Sequence, residues 1–220
     1  MRVTPDWRLQ FVTSGSGDRT VAAAVAAARG GAGIVQVRAK ELLGGELLEL
    51  VCRVADAVAA AAPSSLVTVN DRVDVAVAAR RRGARVHGVH LGQADFPVDE
   101  ARWLLGEGAL VGLTAGTLDF AREAESRVGA GRPDYLGAGP FRPTPTKDVG
   151  RPPVGLAGYR DLVAATSLPV VAIGDVRRGD VADLATTGVA GVAMVREVME
   201  ATDAEGLVCE CLATWDGTRS

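Results

Sequence analysis

The chain lacks an excess of positive charge, has few aromatic side chains and carries only three cysteines in 220 residues. Each shortage excludes something. With 24 Lys plus Arg against 27 Asp plus Glu, the formal net charge is −3. A general polyanion binder, which draws its affinity from phosphate neutralisation, is therefore not expected. Aromatics make up 4% of the residues, which leaves few platforms for stacking nucleic-acid bases. Cys52, Cys209 and Cys211 are odd in number and lack metal-ligand spacing, so free thiols in a reducing cytoplasm are the simplest reading. Apolar runs are broken by Arg, Asp, Gly or Pro well before membrane-spanning length. The opening stretch, Met1-Arg2-Val3-Thr4-Pro5-Asp6-Trp7-Arg8, scatters charge where a signal peptide needs an apolar segment. A soluble cytoplasmic protein is expected, with neither nucleic acid nor membrane as partner.

What is present is a core-forming composition, 48% hydrophobic, in a chain of the size of one domain spanning 1–220. Short runs rich in Val and Ile alternate with longer stretches rich in Ala, Leu, Arg and Glu. The β-type runs are Leu9–Thr13, Ile34–Val37, Leu66–Val69, Val86–His90, Leu110–Leu113, Tyr135–Ala138, Val170–Ile173 and Gly191–Val195. Between them, Thr20–Arg29, Glu46–Ala62, Val73–Arg82, Val98–Leu105, Asp119–Arg127, Leu156–Thr166 and Val181–Thr187 suit helices. Helix-sized connections favour parallel pairing. A doubly wound open sheet would read similarly, but the regularity and the count of strands favour a single (β/α)₈ TIM barrel. The tail after about residue 201 is expected to be peripheral, with Asp216–Ser220 frayed. The Pro- and Gly-rich piece Gly137–Gly155 reads as a long rim loop.

In such a barrel the carboxyl ends of the strands converge on one mouth, so polar residues there are the informative ones. Strand two ends Gln36-Val37-Arg38-Ala39-Lys40, and a period of two puts Gln36, Arg38 and Lys40 on one face. That set suits an anion; an interior ion pair or a solvated strand end is the plainer alternative. Strand three ends Asn70-Asp71-Arg72, which fits a hard cation but fits a helix cap as well. Asp95, after strand four, adds a second carboxylate, and two carboxylates completed by substrate oxygens and water match the usual way of holding Mg²⁺. His90 reads as a packed, hydrogen-bonded histidine rather than a base, and His87 more so. After strand six, Gly137-Ala138-Gly139-Pro140-Phe141-Arg142-Pro143-Thr144-Pro145-Thr146-Lys147 combines close-approach glycines, stiff prolines, hydroxyls and a lysine able to contact oxyanions. Strands seven and eight end Ile173-Gly174-Asp175 and Met194-Val195-Arg196, where many barrels bind phosphate.

Together, Gln36–Lys40, Val69–Arg72, Gly88–Asp95, Asp134–Pro140 and Thr144–Lys147 resemble the thiamine phosphate synthase and thiazole tautomerase superfamily, its synthase branch most closely. The tautomerase branch carries a working histidine just beyond strand five, where this chain reads Gly112-Leu113-Thr114-Ala115-Gly116. The resemblance implies a Mg²⁺-dependent transferase of thiamine biosynthesis. A pyrophosphate leaves a hydroxymethylpyrimidine, and a thiazole nitrogen attacks the exocyclic methylene. It further implies that Gln36, Arg38, Lys40, Asn70, Thr114 and Lys147 hold the pyrimidine pyrophosphate, with Arg38, Lys40 and Lys147 as the catalytic cations. Asp71 and Asp95 would hold the metal; Thr144, Thr146, Asp175, Val195 and Arg196 would meet the thiazole phosphate. The partners expected are small molecules, a pyrimidine pyrophosphate and a phosphorylated or carboxylated azole, with homo-oligomerisation left open.

The chain departs from the family at three places. Thr114 replaces a common serine and keeps its hydroxyl. Asp175 stands where the family usually has a second glycine, and Arg196 where it usually has serine. Either the two form a compensating ion pair and thiamine chemistry survives, or the donor half is kept while the acceptor has changed. A non-catalytic barrel that senses a pyrimidine, and an isomerase acting on a phosphorylated sugar, are the rivals from other classes.

Overall fold

The computed structural model describes residues 4–143 and 152–219. The strands are β1 (Leu9–Val12), β2 (Ile34–Val37), β3 (Leu66–Asn70), β4 (Gly88–Leu91), β5 (Leu110–Thr114), β6 (Tyr135–Ala138), β7 (Val170–Ala172) and β8 (Gly191–Met194). The helices are α1 (Asp18–Arg29), α2 (Gly44–Ala61), α3 (Val73–Arg81), α4 (Val98–Leu105), α5 (Leu118–Ser126), α6 (Gly155–Ala164), α7 (Val181–Ala185), α8 (Arg196–Glu200) and α9 (Ala204–Arg219). All eight strands are parallel and close into a barrel in chain order, β1 pairing with β8 through Leu9↔Val192, Gln10↔Ala193 and Phe11↔Met194. This is the (β/α)₈ architecture expected, and the open doubly wound sheet is set aside.

The strands read as near-continuous apolar runs because helices cover their outer faces and side chains fill the interior. In β2, Val35 and Val37 belong to the large cluster shared with the helices, whereas Ile34 belongs to an interior cluster with Val12, Leu66, Leu110, Tyr135, Val171 and Ala193. Trp7 packs on Tyr135 with ring centroids 5.1 Å apart. At the closing seam a Cβ on Gly191 would lie 1.7 Å from the Trp7 carbonyl oxygen, so only glycine lets β8 approach β1.

Element boundaries differ from expectation by a residue or two, and one difference is informative. Thr13 leaves β1, yet it extends the pairing through its side chain: Oγ1 accepts the Arg38 N–H at 2.9 Å and donates to the Arg38 carbonyl at 3.2 Å. The tail is the larger correction. It is helix through Arg219, with Leu207, Val208, Cys211 and Trp215 buried against its neighbours. Asp216 is not frayed; it pairs with Arg8 at 2.6 Å, and the Arg219 guanidinium lies over the Trp215 ring at 4.9 Å. The cause is burial of one apolar face, which outweighs the helix's interior glycine and threonines. The three cysteines are free, Cys211 buried and Cys209 exposed. Among the described residues no helix is long and apolar enough to cross a membrane.

Two expected outcomes follow from the interior. His87 Nδ1 accepts the Val67 N–H at 2.9 Å, and burial, helped by the charge of Arg85, lowers its pKa to about 4. The unfolded chain binds this proton more readily than the folded one, so stability is complete above the ordinary histidine value of about 6.5 and falls as pH drops towards 4. Chemical denaturation between those limits should show a shallower decline for His87→Gln than for the parent. Secondly, Thr68 Oγ1 is buried without a hydrogen-bond partner. Thr68→Val keeps the shape and removes the unsatisfied group, so calorimetry should show a gain of about 1 kcal/mol, or roughly 2–4 °C in Tm.

Candidate active site

The carboxyl ends of β2, β3 and β4 bring three charged groups together. Lys40, beyond β2, places Nζ 3.2 Å from Asp71 Oδ2. Asp71 follows β3 in a left-handed conformation, φ 62°, held by its own N–H donating to the His90 carbonyl at 2.8 Å. A non-glycine residue in that region is uncommon, although Asp tolerates it better than most. The alternative role for Asn70-Asp71, capping the next helix, is not what forms: Arg72 is the residue before α3, and no side chain caps that terminus. Asp95 sits in the turn after β4, where Oδ2 accepts the Gly92 N–H at 2.6 Å. Its pKa is raised by burial and then by the hydrogen bond and charge of Asp71, while the Gly92 amide and Lys40 pull it the other way. Two carboxyl groups therefore lie close to each other, and Asp95 resists ionisation through its burial first and through the presence of Asp71 second.

Deeper in the mouth lies a belt of hydrogen-bonding side chains. Gln36, buried on β2, lies beside the Tyr135 hydroxyl of β6 and acts to lower its pKa against the larger effect of burial. The Tyr135 hydroxyl lies 3.0 Å from His90 Nδ1, and His90 Nε2 lies 3.1 Å from Thr114 Oγ1. The Thr114 carbonyl in turn accepts from Gln93 Nε2. The rings fit because β5 and β6 present glycines inward. A Cβ on Gly112 would come within 2.2 Å of Tyr135 Cζ and 2.5 Å of His90 Nδ1. Both imidazole nitrogens face partners, and burial holds the phenol well above its usual pKa. These groups orient a polar heterocycle better than they move protons.

On the opposite side, the ends of β7 and β8 meet. Asp175 is also left-handed, φ 57°. Its Oδ1 accepts from Arg196 Nη2 at 2.5 Å and its Oδ2 from Arg177 Nη2 at 3.2 Å. Arg142, after β6, donates to the Asp175 carbonyl at 2.8 Å and pairs with Asp180 at 2.5 Å. Val195 and Ile173 are half-buried against the interior cluster just beneath. The compensating pair of Asp175 and Arg196 is thus the arrangement that forms.

The structure therefore groups Lys40, Asp71 and Asp95; links Gln36 to Thr114 through Tyr135 and His90; and pairs Asp175 with Arg196. Arg38 and Asn70 stand at the same mouth, on the ends of β2 and β3. Thr144, Thr146 and Lys147 lie outside the described residues. Tyr135, Arg142 and Arg177 were missed as site residues; for Tyr135 the available signal was a bulky phenol at an inward position facing two glycine-bearing strands. The donor set fits Mg²⁺ by its chemistry. Among the described residues no group of three or more His, Cys, Asp or Glu is placed to hold a metal. Two neighbouring carboxylates match the way Mg²⁺ is usually held, its other ligands being phosphate oxygens and water.

Comparison with known proteins adds an independent line. The family model for thiamine monophosphate synthase matches residues 9–198. The chain is 54% identical over 207 residues to a thiamine-phosphate synthase of Corynebacterium efficiens, covering 94% of each protein. It is 52% identical over 201 residues to the enzyme of the same name from Corynebacterium jeikeium, covering 91% of each. A solved structure, a thiamine phosphate pyrophosphorylase from Pyrococcus furiosus, superposes with a TM-score of 0.83 at 30% identity, covering 98% of both chains. With sequence, fold and polar rim in agreement over nearly the whole length, this chain belongs to the thiamine monophosphate synthase family and is an enzyme of the transferase class.

Proposed function

We propose that the protein joins a hydroxymethylpyrimidine pyrophosphate to a thiazole phosphate, releasing pyrophosphate, in a Mg²⁺-dependent reaction. The observation that carries this reading is the closeness of Asp71 and Asp95 beside Lys40 at one rim of the barrel. Two carboxylates would hold the ion, which when bound supplies charge neutralisation to the departing diphosphate. Lys40 and Arg38, which follow β2, would bind the diphosphate oxygens as negative charge accumulates on them. Lys147 is assigned alongside them by its motif. Gln36, Asn70 and Thr114 would hold the pyrimidine, with the Tyr135–His90 pair fixing the floor of the belt.

The chemistry asks little else of the protein. The bond from the exocyclic methylene to the diphosphate oxygen breaks with its electron pair going to the leaving group, and the electron-rich aminopyrimidine carries the methylene cation. The thiazole nitrogen then supplies the pair for the new carbon–nitrogen bond. No proton need be removed in either step, which agrees with a histidine whose two nitrogens are already engaged. Positioning and fixed charge carry the rate. On the acceptor side, Thr144, Thr146, Asp175, Val195 and Arg196 would receive the phosphate. The pairing of Asp175 with Arg196 supports an ordinary thiazole phosphate over a changed acceptor, since the carboxylate does not stand bare against a dianion. The small-molecule partners and a cytoplasmic setting belong to this same reading.

Pyrophosphate release from the pyrimidine donor, with and without thiazole phosphate, tests the proposal directly. The parent should release it only with both Mg²⁺ and the acceptor. Asp71→Asn should lower kcat on the order of 10²-fold or more, an effect of the size seen when one transition-state charge partner is removed. Strong pyrimidine binding with no release under any acceptor would instead establish the sensor reading. In metal-free protein the same substitution should let the Asp95 pKa fall back towards the ordinary carboxylate range, read by carbon NMR of the side chain, because one of the groups raising it is gone.

A further inference from the structure

The rim of β7 and β8 holds more positive charge than a compensating ion pair requires. One arginine suffices to neutralise Asp175, yet Arg196 and Arg177 each bind one oxygen of its carboxylate, and that side chain is only 10% exposed. Arg142 fastens the same turn from the other side through the Asp175 carbonyl and Asp180, while Asp180 also accepts the Arg177 N–H at 2.8 Å. Three guanidinium groups thus face the carboxylates of Asp175 and Asp180, while the neighbouring Arg178 is engaged by Glu197 and Glu210. Among the described residues, Arg177 and Arg196 each commit a single Nη2 to Asp175, from a fork that carries five donors, and their side chains are 62% and 43% exposed. Two half-free guanidinium heads held against one buried carboxylate at the ends of strands seven and eight form an arrangement suited to a phosphate, which takes bidentate arginine contacts and is often bound at this place in barrels.

We infer that Arg177 and Arg196 form a two-arginine clamp for the phosphate of the acceptor, and that Asp175 is the positioning residue that holds both heads in place. The inference rests on the donor and acceptor assignment above and deepens it by naming what discriminates a phosphorylated from an unphosphorylated acceptor. Asp175 then has a role opposite in sign to simple repulsion. A glycine in its place would relieve the left-handed backbone but release two flexible arginines, each with rotamer entropy to lose again on binding. The carboxylate accepts that backbone cost, and the arginines are ordered before the ligand arrives.

The test compares thiazole phosphate with the corresponding unphosphorylated thiazole alcohol. Arg177→Ala should raise KM for the phosphorylated acceptor about tenfold or more, the loss expected for a hydrogen-bonded charge pair, with KM for the alcohol and for the pyrimidine donor unchanged. Asp175→Asn, which tolerates the same φ, should raise KM for thiazole phosphate about fivefold with kcat unaltered; a fall in KM would overturn the clamp and restore repulsion. An equal effect of Arg177→Ala on both acceptors, or no effect on either, would also overturn it. Calorimetry with inorganic phosphate separates this from failure of the function itself. If the parent binds phosphate and Arg177→Ala weakens that binding at least fivefold, the clamp stands even where thiazole phosphate is not turned over, and only the acceptor assignment falls. If the parent turns over thiazole phosphate but binds no inorganic phosphate, or binds it as well without Arg177, the function stands and the clamp does not.

Discussion

Closure of the sheet is the constraint on which the rest of this molecule depends. β1 and β8 pair because Gly191 admits the Trp7 backbone where a methyl group would not fit, and that pairing fixes the register around the whole barrel. Once the register is set, every strand sends alternate side chains inward, and every carboxyl end reaches the same rim. Leu66 and Ile34 fill the interior towards the amino ends, Trp7 packs on Tyr135, and polar side chains take over towards the mouth. The site is therefore a consequence of closure: no single strand carries it, and a slip of one residue in any ladder would turn Gln36 or His90 out towards the helices.

The mouth so formed is divided electrostatically. Lys40, Asp71 and Asp95 occupy the side of β2 to β4, where two neighbouring carboxyl groups favour a cation. Arg142, Arg177 and Arg196 occupy the side of β6 to β8, where two partly exposed guanidinium heads gathered on one carboxylate suit an anion. Between them runs the polar sequence of contacts from Gln36 through Tyr135 and His90 to Thr114. A reaction that separates a diphosphate from a heterocyclic cation needs this order. Under the proposed transfer, the leaving charge would be drawn to one side and the acceptor anchored at the other. On that assignment, the pairing of Asp175 with Arg177 and Arg196 would keep a bare carboxylate from repelling the acceptor's phosphate.

The fold was legible in the sequence because its signal is repeated. Eight apolar runs separated by helix-length connections survive errors of a residue or two at each end. The site was legible where a residue type and a strand end coincide, as at Gln36, Lys40, Asp71 and Asp95. What stayed hidden depends on neighbours distant in the chain. Asn70-Asp71 has the local chemistry of a cap, and only the ladder to β4, which pins the Asp71 N–H on the His90 carbonyl, decides for the turn. Arg177 and Arg142 look like solvated loop charges until β6, β7 and β8 are adjacent. The tail was different, since its signal was present and outvoted. Leu207, Val208, Cys211 and Trp215 recur at helical spacing, but the end of the chain, Asp216–Ser220, reads as frayed by its terminal position.

The division of the rim also separates what can change from what cannot. On the proposed assignment, the carboxylate pair and Lys40 would act on the group that leaves, so altering any of them would alter the chemical step itself. The arginine cluster would act on a phosphate remote from the reacting nitrogen, and remote binding energy contributes to rate only by holding that nitrogen in line. Asp175 and Arg196 are both departures from the family's usual residues, both lie on the remote side, and they compensate each other at 2.5 Å. Neither change alone would be neutral. An aspartate without its arginine sets a negative charge against a dianion, and an arginine without its aspartate loses the contact that orders it. Their joint presence on one side of the mouth, with Asp71 and Asp95 on the other, is what the proposed transfer with a rebuilt phosphate anchor would require.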